Sequence, residues 1–190
     1  MKTVTGKMKL YIGLSALALA TFLVAGSIAA CQQDLDGEER VAPAAGHPGF
    51  NLIFRYGVGA KNELNTSKGT YTKDMILDPS VTVRFSLTGE EMDRIYEKMT
   101  EIDFFSYPDE FAIVVPPGEG FRIVHPSSSY YFKVEYQSKV KELAWENKDF
   151  AILYEDERAD KLRELIRLII GIIESKKEYQ KLPEPRGYYF

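Results

Sequence analysis

Residues 10–30 carry no charged side chain; Lys2, Lys7 and Lys9 stand in front of them, and the chain's only cysteine, Cys31, comes directly after. No other feature constrains the fold as strongly. A basic start, an apolar middle and small residues before a cleavage point have the form of an export segment. Ala25, Gly26, Ser27, Ala29 and Ala30 supply the small residues. Such a segment takes no part in a folded core, so the core must come from residues beyond Cys31. The alternative is a spanning helix, since the run is about long enough for a hydrocarbon layer of roughly 30 Å. Small residues crowding its second half suit peptidase access better. With one cysteine there is no intrachain disulfide, and an exported domain of this kind is held by its core alone.

Cleavage before Cys31 leaves 160 of the 190 residues. That is one domain's worth of chain, enough to bury a sizeable core. The formal net charge of −4 falls by three further units, to about −7, once the leading lysines are gone. An acidic balance with no basic aromatic patch argues against nucleic-acid binding. It also gives no electrostatic attraction to an anionic membrane surface. Twelve Tyr and eleven Phe suit either a core rim or a contact surface.

Residues 32–49 are acidic and then rich in Ala, Pro and Gly, which predicts a flexible spacer ahead of a domain over 50–190. Residues 50–56 alternate and predict a strand, which Gly57 and Gly59 break. Residues 61–69 are turn-rich, 70–76 form a second short strand, and Asp78-Pro79-Ser80 is a turn. Residues 81–87 are the cleanest strand, with Val81, Val83, Phe85 and Leu87 on one side. Thr88 and Glu91 then have capping-box spacing, and Met92, Ile95, Tyr96, Met99 and Ile102 form one helical face. Phe104, Phe105 and Tyr107 read as core plugs at the helix exit. Short strands come next at 111–115 and 121–124. Residues 130–136 and 139–145 make a hairpin about Gln137-Ser138, and 147–151 a loop or small bulge. Asp156 caps a second helix over 157–177, whose broad stripe of Leu and Ile should lie across the sheet. Residues 182–190 form an extended tail whose aromatic end docks on the body. The fold class is α+β: an antiparallel β-sheet with two α-helices packed on one face.

Few residues suggest chemistry. His47 and His125 lie far apart in sequence, each before a proline, which is not metal-ligand spacing. Ser127, Ser128 and Ser129 lack a nucleophile-elbow frame and read as a turn. Asp103, Asp109 and Glu110 offer paired carboxylates, for which helix-end and turn roles are the plainer reading. Gly57-Val58-Gly59 lacks the lysine and helix of a phosphate loop. Arg55, Lys73 and Arg84 stand at strand positions that could share the exposed face and bind an anion. Lys73 beside Asp74 could equally be a structural ion pair. No catalytic, metal or cofactor site emerges.

The motif Ile28-Ala29-Ala30-Cys31 resembles a bacterial lipobox. That resemblance implies a diacylglycerol on the sulfur of Cys31, and stable anchoring takes two or more acyl chains. In lipoproteins of cells with an outer membrane, Asp after the cysteine favours inner-membrane retention, and here Gln32 stands there. Further along, the strand over 50–56, Gly69-Thr70-Tyr71-Thr72-Lys73-Asp74, Leu87-Thr88-Gly89-Glu90-Glu91, Phe104-Phe105-Ser106-Tyr107-Pro108, Trp145 and Leu182-Pro183-Glu184-Pro185 look like uncharacterised lipoproteins, mainly of Gram-positive bacteria. The likeness covers most of the chain after Cys31 and brings no activity with it. The expectation is a lipid-anchored protein on the outer face of the cell membrane, or at the outer membrane where the cell has one. Its partners are the membrane and an envelope protein or cell-wall component, and the non-enzymatic reading is preferred. The alternatives are an envelope hydrolase using Asp/Glu residues, or an anion or small-molecule binder on the exposed sheet face.

Overall fold

Strands and helices assemble here because the apolar positions keep their period across the whole domain. A computed structural model of the chain describes residues 47–114, 126–147 and 156–190. All of these belong to one unit, Arg40–Phe190. The elements are β1 (Asn51–Tyr56), β2 (Asn62–Asn65), β3 (Thr70–Met75), β4 (Asp78–Arg84), α1 (Gly89–Glu101), β5 (Glu110–Phe111), β6 (Ser128–Tyr136), β7 (Lys139–Asn147), α2 (Glu157–Ser175) and α3 (Lys177–Gln180). A 3-10 turn, Phe104–Ser106, comes after α1.

The seven strands form one sheet in the order β4-β3-β2-β1-β6-β7-β5. All neighbours are antiparallel except β5, which joins β7 parallel. The fold is thus α+β, as the alternation and the two helical stripes require. Register places Val83, Tyr71, Leu64, Phe54, Phe132 and Leu143 opposite one another in a row across six strands. All but Val83 are fully buried, and Val83 is partly buried against the same cluster. One residue along, the adjacent row of Thr82, Thr72, Glu63, Arg55, Tyr131, Ala144 and Glu110 crosses all seven strands. Period-two side-chain alternation puts it on the opposite face.

Helices α1 and α2 cover the apolar face. Met92, Ile95 and Met99 from α1, and Leu162, Ile166, Ile169 and Ile173 from α2, share one cluster with that face. Thr88 and Glu91 complete the capping box at the start of α1, which is worth about 1 kcal/mol. The Asp156 side chain accepts from the Ala159 amide and caps α2. Lys98 of α1 reaches Glu164 of α2 at 2.8 Å, and Lys176 reaches Glu91 at 2.5 Å.

Several local expectations change. The turn-rich segment 61–69 contains β2, because β1 and β3 each offer a ladder to it. Its turn residues serve the pairing: the Asn62 side chain donates to the Tyr56 carbonyl and accepts from the Asp74 amide. Asp78, Pro79 and Ser80 open β4 instead of forming a turn. As an edge strand, β4 tolerates a proline without an N–H. The reversal falls earlier, at Ile76 with φ +64° and at Leu77. Of the strand expected at 111–115, Phe111 pairs, together with Glu110 before it, while 112–114 do not and residue 115 lies outside the described residues. Phe104 and Tyr107 are buried, but Phe105 is 43% exposed. The hairpin about Gln137 and Ser138 holds, with φ of +48° and +63° as a type I′ turn requires. The second helix stops at Ser175: Lys176 is extended, and α3 is a separate turn. The expected strand at 121–124, and the loop at 147–151 beyond Asn147, lie outside the described residues.

His47, the first described residue and part of the stretch read as spacer, packs on the domain. Its Nδ1 lies 2.6 Å from Asp93 Oδ1, and its ring is 4.0 Å from that of Tyr96. Among the described residues, no helix is long and apolar enough to cross a membrane.

Candidate functional site

Strand parity divides the three cations read as an anion patch. Arg55 lies on the open face, where its Nε donates to Glu63 Oε2 at 2.6 Å and its guanidinium stands 5.4 Å from the Tyr131 ring. Arg84 is opposite Thr70 and exposed. Lys73 shares parity with Tyr71 and Met75 and points the other way, into the covered side, with 5% of its surface exposed. The three do not form one site. Of these three, Arg55 and Arg84 lie on the open face, with Arg55 paired to Glu63.

Around Lys73 the covered face turns polar. The Tyr56 and Tyr71 hydroxyls are 2.6 Å apart, and the Tyr71 hydroxyl donates to Asn62 Oδ1 at 3.5 Å. Burial pushes the Tyr56 phenol up to about 12 and raises Tyr71 further, with Tyr179 and Glu174 adding to both shifts. The Tyr179 ring meets Tyr71 edge-on at 5.6 Å and lies 4.8 Å from the Lys73 ammonium. The Tyr179 phenol is also raised, first by burial and then by Glu174. The nearest carboxylate, Glu184, is 3.7 Å from Lys73 Nζ, in Coulomb contact but beyond hydrogen-bond reach.

Glu184 belongs to the segment 182–190, which is pinned over this corner. Leu182 is buried in the core. Arg186 pairs in parallel with Ile76 and donates to both carboxylate oxygens of Asp78, Nε reaching Oδ2 at 2.7 Å. Gly187, with φ +87°, lies against Leu77, where a Cβ would collide. The Tyr189 hydroxyl donates to Asp74 and accepts from Lys61. The expected docking of the tail is therefore made by Leu182, Arg186 and Tyr189, while Tyr188 and Phe190 stand 82% and 106% exposed.

The remaining candidates disperse. Asp109 accepts from Lys141 at 2.5 Å and is 80% exposed. With Glu110, Tyr131 and Glu142 it borders a shallow depression of about 430 Å³ at the β5 rim. Asp103 does not line it; it ends α1 with φ +54°. A depression open to solvent does not enclose a carboxylate pair in the way acid–base work needs. Ser128 and Ser129 are tied into the β6 ladder, and Ser129 donates its amide to Gly57. His125 and Cys31 lie outside the described residues. No group of three metal-ligating side chains forms among the described residues.

Sequence reading missed Tyr179 and Glu184 as neighbours of Lys73, because both come from more than 100 positions away. The signal for Lys73 itself was present: Tyr71, Lys73 and Met75 share one parity, so a buried Tyr71 carries Lys73 inward. No protein-family model matches the sequence, and no curated protein matches it.

Proposed function

We propose that the chain is exported, acylated on Cys31 and held at the outer face of the cell membrane, where its α+β domain works as a non-catalytic binding module for an envelope protein or cell-wall component. The observation that carries this reading is the order of residues before the domain: Lys2, Lys7 and Lys9, an uncharged run over 10–30, and Ile28-Ala29-Ala30-Cys31. In sequence, the stretch between Cys31 and His47 is polar and acidic and then rich in Ala, Pro and Gly, which suits a linker between anchor and domain. The open sheet face supports the binding part. Its row of Thr, Glu, Arg and Tyr side chains mixes hydrogen-bonding groups with an aromatic ring, as contact surfaces do.

Intact mass and detergent-phase partitioning of the protein expressed in a bacterium test the anchor, beside Cys31→Ala. The wild type should lose residues 1–30, gain a lipid-sized mass and enter the detergent phase, and the variant should do none of these. If both forms keep residues 1–30 and behave alike, the run is a plain anchor and the lipoprotein reading fails. The binding part is read by sedimentation of the purified protein with cell-wall sacculi and by crosslinking to envelope proteins. Turnover of envelope material by the pure protein would overturn the non-catalytic reading.

A further inference from the structure

Lys73, at the sheet corner, is a buried charged side chain. Its side chain is only 6% exposed, and it lies over the Tyr179 ring. A buried ammonium needs a partner, and a good one sits within hydrogen-bond distance. Among the described residues no carboxylate comes that close: Glu184 stops at 3.7 Å, and because no buried side-chain nitrogen or oxygen there lacks a hydrogen-bond partner, the tip of Lys73 keeps contact with solvent. Glu184 is itself 90% exposed and enters between Pro183 and Pro185. Beyond the buried Leu182, its segment is fastened mainly by polar contacts near the surface, Arg186 with Asp78 and Tyr189 with Asp74 and Lys61. Exposed ion pairs hold a segment only weakly. A cation open to solvent only at its tip thus faces a loosely held carboxylate that approaches it without hydrogen-bonding to it.

The geometry points to a carboxylate-binding site at Lys73, walled by Tyr179, in which Glu184 acts as an internal stand-in that a ligand's carboxylate displaces. An incoming carboxylate free of the chain can close to about 2.8 Å and make the charge-assisted hydrogen bond that Glu184 does not. The Tyr179 ring gives the ligand's carbon chain an apolar wall. The site favours a monoanion over phosphate. One ammonium supplies one positive charge, and Glu174 sits close enough to influence Tyr56, Tyr71 and Tyr179. Small carboxylic acids and chains ending in a carboxylate are the ligand class. The site goes beyond the anchoring reading and stands whether or not Cys31 carries lipid.

Amine labelling of the full-length protein with an acetylating active ester, read by peptide mass mapping, tests it. Lys133 on the open face, 31% exposed, is the internal standard in the same digest. Lys73 should be protected in the wild type. Glu184→Gln, on an exposed side chain whose charge faces Lys73, should raise Lys73 labelling relative to Lys133 by about tenfold as the cover loosens. Sodium acetate added to Glu184→Gln should then slow it by about fivefold against sodium chloride of equal ionic strength, while inorganic phosphate should not. Glu184→Asp, which keeps the charge, should behave like wild type. Equal Lys73 labelling in wild type and Glu184→Gln, no effect of acetate, or equal protection by phosphate would each overturn the proposal.

Discussion

Arg55 and Lys73 stand in the same sheet, on opposite faces, and live under opposite conditions. Arg55 has 47% of its side chain in solvent and a carboxylate at 2.6 Å. Lys73 is enclosed, and its carboxylate is more than an ångström further away. The rows beside them repeat the contrast. Phe54 meets Leu64 and Phe132 under the helices, whereas Arg55, the next residue, meets Glu63 and Tyr131 on the open side. Apolar area withdrawn from water contributes roughly 25 cal/mol per Å², so stability resides on the covered face. The open face is free to be shaped for contact. Lys73 is the exception: a charge placed on the covered side, over the Tyr179 ring.

The widest gap between the faces should show at Phe54. Phe54→Ala removes a fully buried ring and should cost about 3–5 kcal/mol in denaturant unfolding. A loss under 1 kcal/mol would mean that the covered face is not the core. High pH probes the same side. The Tyr56 phenol is raised from 10.0 to about 12 in the folded protein, so between those values the unfolded chain releases its proton first and stability falls as pH rises. Below pH 10 this contribution is fully present. By pH 12 the loss should be on the order of 2–3 kcal/mol, and Tyr56→Phe should flatten the slope in a pH series of unfolding midpoints. Lys73→Met swaps the enclosed charge for an apolar chain of similar length. It should leave stability unchanged or raise it by about 1 kcal/mol, and a clear drop in melting temperature would show that the ammonium is well paired. Smallest is Arg55→Ala, expected to cost less than about 1 kcal/mol and to vanish in high salt. A larger, salt-independent loss would erase the distinction between the faces.

Much of this layout was legible before folding. The alternation over 50–56 and 81–87, the Thr88–Glu91 box, the Asp156 cap and the hairpin at Gln137-Ser138 are signals spanning a few residues, and each led to an element of the stated kind. β2 was not legible. Asn62–Asn65 has the composition of a turn, and it becomes a strand because β1 and β3 pair with it from either side. The β4 start at Asp78 and Pro79 was hidden for a related reason: only its place at the sheet edge makes the proline acceptable. The anion patch failed at Lys73 because composition marks a lysine as exposed, while strand parity and the segment 182–190 enclose it.

The chain's own residues determined the α+β class and the alternation of faces along most strands, since these arise from runs, periods and caps within about ten positions. Only the tertiary structure decided what covers Lys73 and which strands lie at the edges. Those depend on contacts between residues such as Lys73 and Glu184 or Asp78 and Arg186, more than 100 positions apart. No local pattern encodes such pairs; they exist once the core has closed and brought the two ends of the domain to one corner.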